Sequence, residues 1–244
     1  MNKIKWHIGC SGFHYREWKG RFYPEGLPQK KWFEFYSTQF NTLELNVTFY
    51  RFPQSAVLER WYTQSLPNFC FAVKAPGLIT HYKQFNECES LLNDFYDVVQ
   101  HGLKEKLGVV LFQLPPSFTY STERLTRIVQ NLRSGVHNVV EFRNAGWWKP
   151  EVYETLKANK ITFSGISYPS LPATAVVNHA IAYYRFHGVP QLYYSAYTHP
   201  VLEEVAGSLL KNKNVKEVFL YFNNTASMAA IENAMWIKAY VNKD

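Results

Sequence analysis

The chain has 244 residues, 47% of them hydrophobic and 18% charged, with a formal net charge of +7. That composition supplies a full apolar core and excludes disordered and fibrous classes. No stretch reaches the roughly 18 consecutive apolar residues of a membrane span. Cys10, Cys70 and Cys88 are odd in number and widely spaced, which argues against a disulfide framework or a zinc site.

Met1-Asn2-Lys3-Ile4-Lys5-Trp6 leads straight into an apolar run without the pattern of a signal peptide, so a cytoplasmic location is expected. The first strand is Trp6 to Cys10, followed by Thr42 to Val47, Cys70 to Lys74, Gly108 to Leu114, Asn138 to Arg143, Ile161 to Ile166, Ile181 to His187 and Glu217 to Asn223. Helical spacing fills most of the gaps: Pro28 to Phe40, Ala56 to Ser65, Glu89 to Lys106, Thr122 to Arg133, Pro150 to Asn159, Val201 to Lys211 and Met228 to Val241. The link between strands six and seven, Tyr168 to Ala180, is the one where a helix is in doubt. Continuous apolar runs alternating with helices mean parallel strands covered by helices. Eight such units in about 250 residues are the size of a closed (β/α)8 TIM barrel. A doubly wound open sheet would carry a Gly-rich nucleotide turn, and none follows any strand. With no linker and no internal repeat, residues 1–244 are expected to form a single domain.

In a TIM barrel the active site forms at the carboxyl ends of the strands. There the sequence places Glu44 and Asn46, Lys74, Gln113, Glu141 and Arg143, Arg185 and His187, and Asn223 and Asn224. Glu141 and Arg143, two residues apart, share one strand face. Around these positions the chain reads Gly9-Cys10-Ser11-Gly12-Phe13, Glu44-Leu45-Asn46-Val47-Thr48-Phe49-Tyr50, Phe71-Ala72-Val73-Lys74-Ala75-Pro76, Gln113-Leu114-Pro115-Pro116, Glu141-Phe142-Arg143, Arg185-Phe186-His187-Gly188 and Tyr221-Phe222-Asn223-Asn224. Through these motifs, nearly end to end, it resembles the YecE-like family of TIM barrels, a domain of unknown function. The resemblance implies the barrel and no particular activity. It also marks two departures, since Ser167-Tyr168 and Thr225-Ala226-Ser227 stand where the family tends to carry an acidic residue.

Three readings of the strand ends follow. Lys74, Arg143 and Arg185 around one opening, with Asn46, Gln113, Asn223 and Asn224, suit a phosphate or carboxylate, and the turn after strand eight would add free amides at the start of the last helix. Glu44, Glu141 and His187 are the candidate catalytic groups. Two carboxylates about 5–10 Å apart would suit glycoside hydrolysis, whereas pairing with neighbouring cations would hold them ionised. His187 is a candidate acid or base near neutral pH. Trp18, Tyr50 and Trp147 fall in loops on the same face and are expected to rim it, in keeping with an aromatic content of 17%. Neither a metal motif nor a cofactor signature is present in the sequence. The first expectation is therefore a cofactor-independent hydrolase, isomerase or lyase acting on an anionic small molecule. A nucleic-acid binder using the basic charge and mouth aromatics is the second, and a glycoside hydrolase the third.

Overall fold

The computed structural model describes residues 4–242, so Met1 to Lys3 of the expected lead into the first strand lie outside the described residues. The expected strands all form: β1 (Lys5–Cys10), β2 (Thr42–Leu45), β3 (Cys70–Lys74), β4 (Leu107–Gln113), β5 (Asn138–Glu141), β6 (Thr162–Ser167), β7 (Ile181–Phe186) and β8 (Glu217–Phe222). All pair in parallel, in the order β1-β8-β7-β6-β5-β4-β3-β2. The ring closes between β1 and β2, where the Gly12 N–H donates to the Glu44 carbonyl at 2.9 Å. Below that point side chains replace the ladder. The Tyr36 hydroxyl accepts from the Cys10 N–H at 2.8 Å and donates to the Thr42 carbonyl at 3.1 Å.

The helices are α1 (Trp32–Gln39), α2 (Val47–Tyr50), α3 (Ser55–Gln64), α4 (Glu89–Leu103), α5 (Thr122–Asn131), α6 (Pro150–Ala158), α7 (His199–Lys211) and α8 (Ala229–Val241). Their starts follow the local chemistry: Ser121 caps α5 by accepting from the Arg124 N–H at 3.2 Å, and α6 and α7 carry Pro in their first turn. In α4 the buried residues Leu92, Phe95, Tyr96, Val99 and Leu103 recur at helical spacing, and this stripe seats the helix on the sheet. No helix joins β6 to β7. Instead Asn178 ties the link to β6, accepting from the Phe163 N–H at 3.1 Å and donating to the Ile161 carbonyl at 2.8 Å, while Ala175, Val176 and Val177 pack on the core. Among the described residues no helix is long and apolar enough to cross a membrane.

Two apolar compartments result. The larger lies between strands and helices. The smaller fills the barrel with Ala72, Val109, Leu111, Val139, Ile181, Tyr183, Phe219 and Tyr221. His7 stacks on Phe219 at 4.4 Å toward the amino-terminal end, so the barrel has a solid floor for whatever stands at its other end. Several strands stop earlier than the apolar runs suggest. β2 ends at Leu45, β5 at Glu141 and β8 at Phe222, which leaves Asn46, Arg143 and Asn223 in the loops.

The β1–β2 seam depends on a close backbone approach at Gly9, where an added Cβ would lie 2.4 Å from the Thr42 carbonyl oxygen. Gly9→Ala is expected to cost about 1–3 kcal/mol by overpacking. Gly207→Ala, in α7 with open space around it, is expected to add about 0.5–1 kcal/mol. Urea unfolding of the two variants beside the parent checks both signs.

Candidate functional site

Three strands aim charged side chains at one point inside the barrel top. Arg185 of β7 donates through Nη2 to Glu44 of β2 at 2.7 Å and through Nη1 to Glu141 of β5 at 2.9 Å. All three are buried, at 1%, 0% and 0% exposure respectively. Each carboxylate has further donors. The Tyr183 hydroxyl and the Ser11 hydroxyl reach Glu44 at 2.5 and 2.6 Å, and Arg143 Nε reaches Glu141 at 2.5 Å. Burial alone would raise the Glu141 carboxyl, but Arg143 and Arg185 outweigh it and hold the group well below the usual carboxylate range. The same two carboxylates push the Arg185 guanidinium further up against the opposing effect of its own burial.

Arg143 is positioned from both sides. Its Nη2 lies 3.1 Å from His187 Nε2, and its guanidinium rests 4.2 Å over the Tyr168 ring. Tyr168 is one of the residues standing where the family resemblance suggests an acid, and here it offers Arg143 the face of its ring. A guanidinium can only donate, so His187 Nε2 is the unprotonated nitrogen and Nδ1 carries the proton; the Asn223 side-chain amide 2.9 Å from Nδ1 must then turn its oxygen, not its nitrogen, to the ring to accept from it. Burial, and then Arg143 and Arg185, push the His187 imidazole down to about 3.

A cavity of about 390 Å³ lies at this end of the barrel, a size suited to a small molecule. Lys74, Arg143 and Arg185 line it, together with Asn46, Gln113 and Asn223. Tyr50 and Tyr193 supply aromatic wall, and Tyr15, His81 and Pro116 complete it. No carboxylate lines it among the described residues. Two buried polar atoms of lining residues have no partner in the protein, Arg185 Nε and Asn46 Oδ1. An unpaired buried donor or acceptor is costly, and a bound ligand is one way to satisfy it. Lys74 donates to the Gln113 side-chain oxygen at 2.9 Å and sits 4.0 Å over the Phe49 ring. Burial, and then Arg185, lower its ammonium to about 7 despite Glu141 and Glu44. Among the described residues no group of three or more His, Cys, Asp or Glu side chains could hold a metal ion.

The structure thus gathers Lys74, Arg143, Arg185, Asn46, Gln113 and Asn223 around one cavity and sets four expected site residues apart from it. Glu44 and Glu141 lie beneath, with one guanidinium filling the space between them that a glycosidic bond and its water would need. His187 is buried against Arg143 and Asn223 and does not line the cavity, and burial with the two guanidinium groups disfavours its charged form. Asn224 turns away, donating to the Ser195 carbonyl at 3.0 Å and to Asn233 at 3.2 Å. The aromatic rim is also corrected. Trp18 and Trp147 are fully buried, their indole N–H groups donating to the carbonyls of Ser227 and Phe118, and only Tyr50 of the expected three lines the cavity. Both indoles find apolar packing and a carbonyl partner under the loops, which a rim would deny them. Sequence reasoning missed Tyr15 as a lining residue, and Ser11 and Tyr183 as supports of Glu44. Tyr183 was within reach, since it shares the face of Arg185 two residues on.

A family model described as "Protein of unknown function DUF72" matches residues 7–244. The UPF0759 protein YunF of Bacillus subtilis is 26% identical over 262 residues, covering 93% of this chain and 91% of that protein. The UPF0759 protein YecE of Escherichia coli is 33% identical over 103 residues, 38% of each chain. Among solved structures, a DUF72 family protein from Thermotoga maritima superposes with a TM-score of 0.89 at 26% identity, covering 98% of this chain and all 100% of that one.

Removing the bridging guanidinium strands two buried carboxylates, so Arg185→Met is expected to cost about 3–5 kcal/mol in urea unfolding. The pH dependence has a definite sign. Both His187 and Glu141 have folded pKa values below their unfolded ones, so their stabilisation is complete at high pH and lost as pH falls. Stability should decline from about pH 6.5 as the unfolded imidazole protonates, and more steeply below about 4.3 as Glu141 joins, by at most about 1.4 kcal/mol per pH unit per group. His187→Gln should flatten the upper limb, an outcome read from unfolding free energies between pH 4 and 8.

Proposed function

The chain belongs to the DUF72 family, as its YecE-like motifs imply, and from that premise we propose that it is an enzyme acting on a small anionic substrate at the barrel mouth. The supporting observation is the charge arrangement of the cavity: Lys74, Arg143 and Arg185 line it, and the carboxylates that neutralise part of that charge are buried beneath it. A phosphate or carboxylate group is the natural ligand for such a surface, because charge-assisted hydrogen bonds to guanidinium groups are short and strong. Arg185 Nε and Asn46 Oδ1, buried at the cavity wall without a protein partner, add unspent polar capacity to that surface, in keeping with a polar ligand. The chemistry fits a hydrolase, isomerase or lyase whose protons are moved by lining groups, among which Lys74 titrates nearest neutrality.

Sulfate serves as a probe because it stays dianionic across the neutral range. At about a hundred times its Kd it should stabilise the protein by about 2.7 kcal/mol, raising Tm by several degrees above a chloride control of equal ionic strength. Arg143→Gln should weaken binding by about 1.5–3 kcal/mol, or about ten- to a hundredfold. Affinity should also fall as pH rises through about 7, because the anion favours the charged form of Lys74. Equal stabilisation of parent and variant would remove the reading. Binding of a random oligonucleotide that weakens steeply with salt would instead favour a nucleic-acid partner.

A further inference from the structure

Lys74 differs from the other two cations of the cavity in the company it keeps. Arg143 and Arg185 each pair with a buried carboxylate, whereas among the described residues no carboxylate lies within salt-bridge distance of Lys74. Its Nζ has one neutral hydrogen-bond partner, the Gln113 side-chain oxygen, and that amide is fixed by donating through Nε2 to the Leu114 carbonyl at 2.8 Å. On the other side lies the Phe49 ring, itself held edge-on to His81 at 4.8 Å. Phe49 is accommodated by Gly77, where an added Cβ would come within 2.9 Å of the ring. The amine is therefore confined between an amide and an apolar face, beside two guanidinium groups, with its tip in the cavity wall. A lysine desolvated near other cations, with no anion to hold its proton, is the setting in which an amine becomes a nucleophile.

We propose that Lys74 forms a Schiff base with an aldehyde or ketone whose anionic group is held by Arg143 and Arg185. The proposal rests on the anionic-substrate reading and narrows it to oxo acids and phosphorylated carbonyl compounds. In the step itself the free amine of Lys74 attacks the carbonyl carbon, and the C=O pair moves to oxygen, which takes up protons and departs as water. Amine, carbonyl and one proton give iminium and water, so atoms and charge balance with no oxidant, reductant or further reactant. The proton lost by the ammonium before attack and the one consumed in dehydration exchange with solvent in the cavity. The iminium then serves as an electron sink for bond cleavage or proton loss at the adjacent carbon, which is lyase or isomerase chemistry. An amine titrating near 7 is about half free at neutral pH, a fraction on the order of a thousandfold larger than that of an ordinary lysine.

The test is reductive trapping on the full chain. Protein is incubated at pH 7 with glyoxylate, an aldehyde bearing a carboxylate, and sodium cyanoborohydride, and the modified lysines are mapped by peptide mass spectrometry. The expected result is an adduct on Lys74 at least about tenfold above that on exposed lysines such as Lys19 and Lys30. Acetaldehyde should label it less, sulfate should protect it, and Lys74→Arg should abolish the selective adduct. Because the mapping is made on the unaltered protein, the result stands even where that variant fails to fold. Labelling confined to exposed lysines, with sulfate still stabilising the protein, overturns the Schiff base and leaves the anion site standing. Labelling of Lys74 by both aldehydes alike, with no protection and no stabilisation by sulfate, overturns the anion site and with it the proposal.

Discussion

The structure depends on one guanidinium shared by two carboxylates. Arg185 crosses from β7 to Glu44 on β2 and Glu141 on β5, tying together strands separated by 141 and 44 residues in the chain. Such a cluster gives up much hydration on burial, and close geometry with further donors is what offsets that loss. Tyr183 and Ser11 supply those donors to Glu44, and Arg143 supplies them to Glu141. The functional consequence is polarity. With its negative members turned inward and fully buried, the cluster leaves the cavity lined by cations.

The barrel was legible because its signals are local. Each strand shows as an apolar run and most helices as a period or a cap, and even the link from Tyr168 to Ala180 revealed itself by lacking a helical pattern. Strand ends were less exact. Arg143 was expected on the strand beside Glu141; it stands just past the end of β5 and reaches back to the same carboxylate through Nε. The pairing was readable at a separation of two residues. Its counterpart was not, because nothing local to Glu44 announces a partner on β7.

The aromatic residues teach the same lesson from the opposite side. An excess of Trp, Tyr and Phe suggested a ring-lined mouth, yet much of it packs loops onto the barrel. Trp147 lies between Phe142, at 4.0 Å, and Phe118, at 5.4 Å, both stacked. Composition counts rings without saying which find a neighbour, and an indole that finds both ring faces and a carbonyl acceptor has no reason to stay at the surface. His187 is another residue whose surroundings the sequence does not show. Its position at the end of β7 suggests proton exchange, but burial first, and then two guanidinium groups nearby, make a positive charge on it unfavourable.

Glu44 has a double employment. Its backbone carbonyl takes the hydrogen bond that closes the ring at β1, and its carboxylate takes the bridge from β7. The seam of the barrel and the floor of the cavity therefore share one residue. A nascent chain that has not yet delivered β7 and β8 lacks Arg185, and a loosening of the parallel β1–β2 seam would disturb Glu44 without altering any cation that lines the cavity.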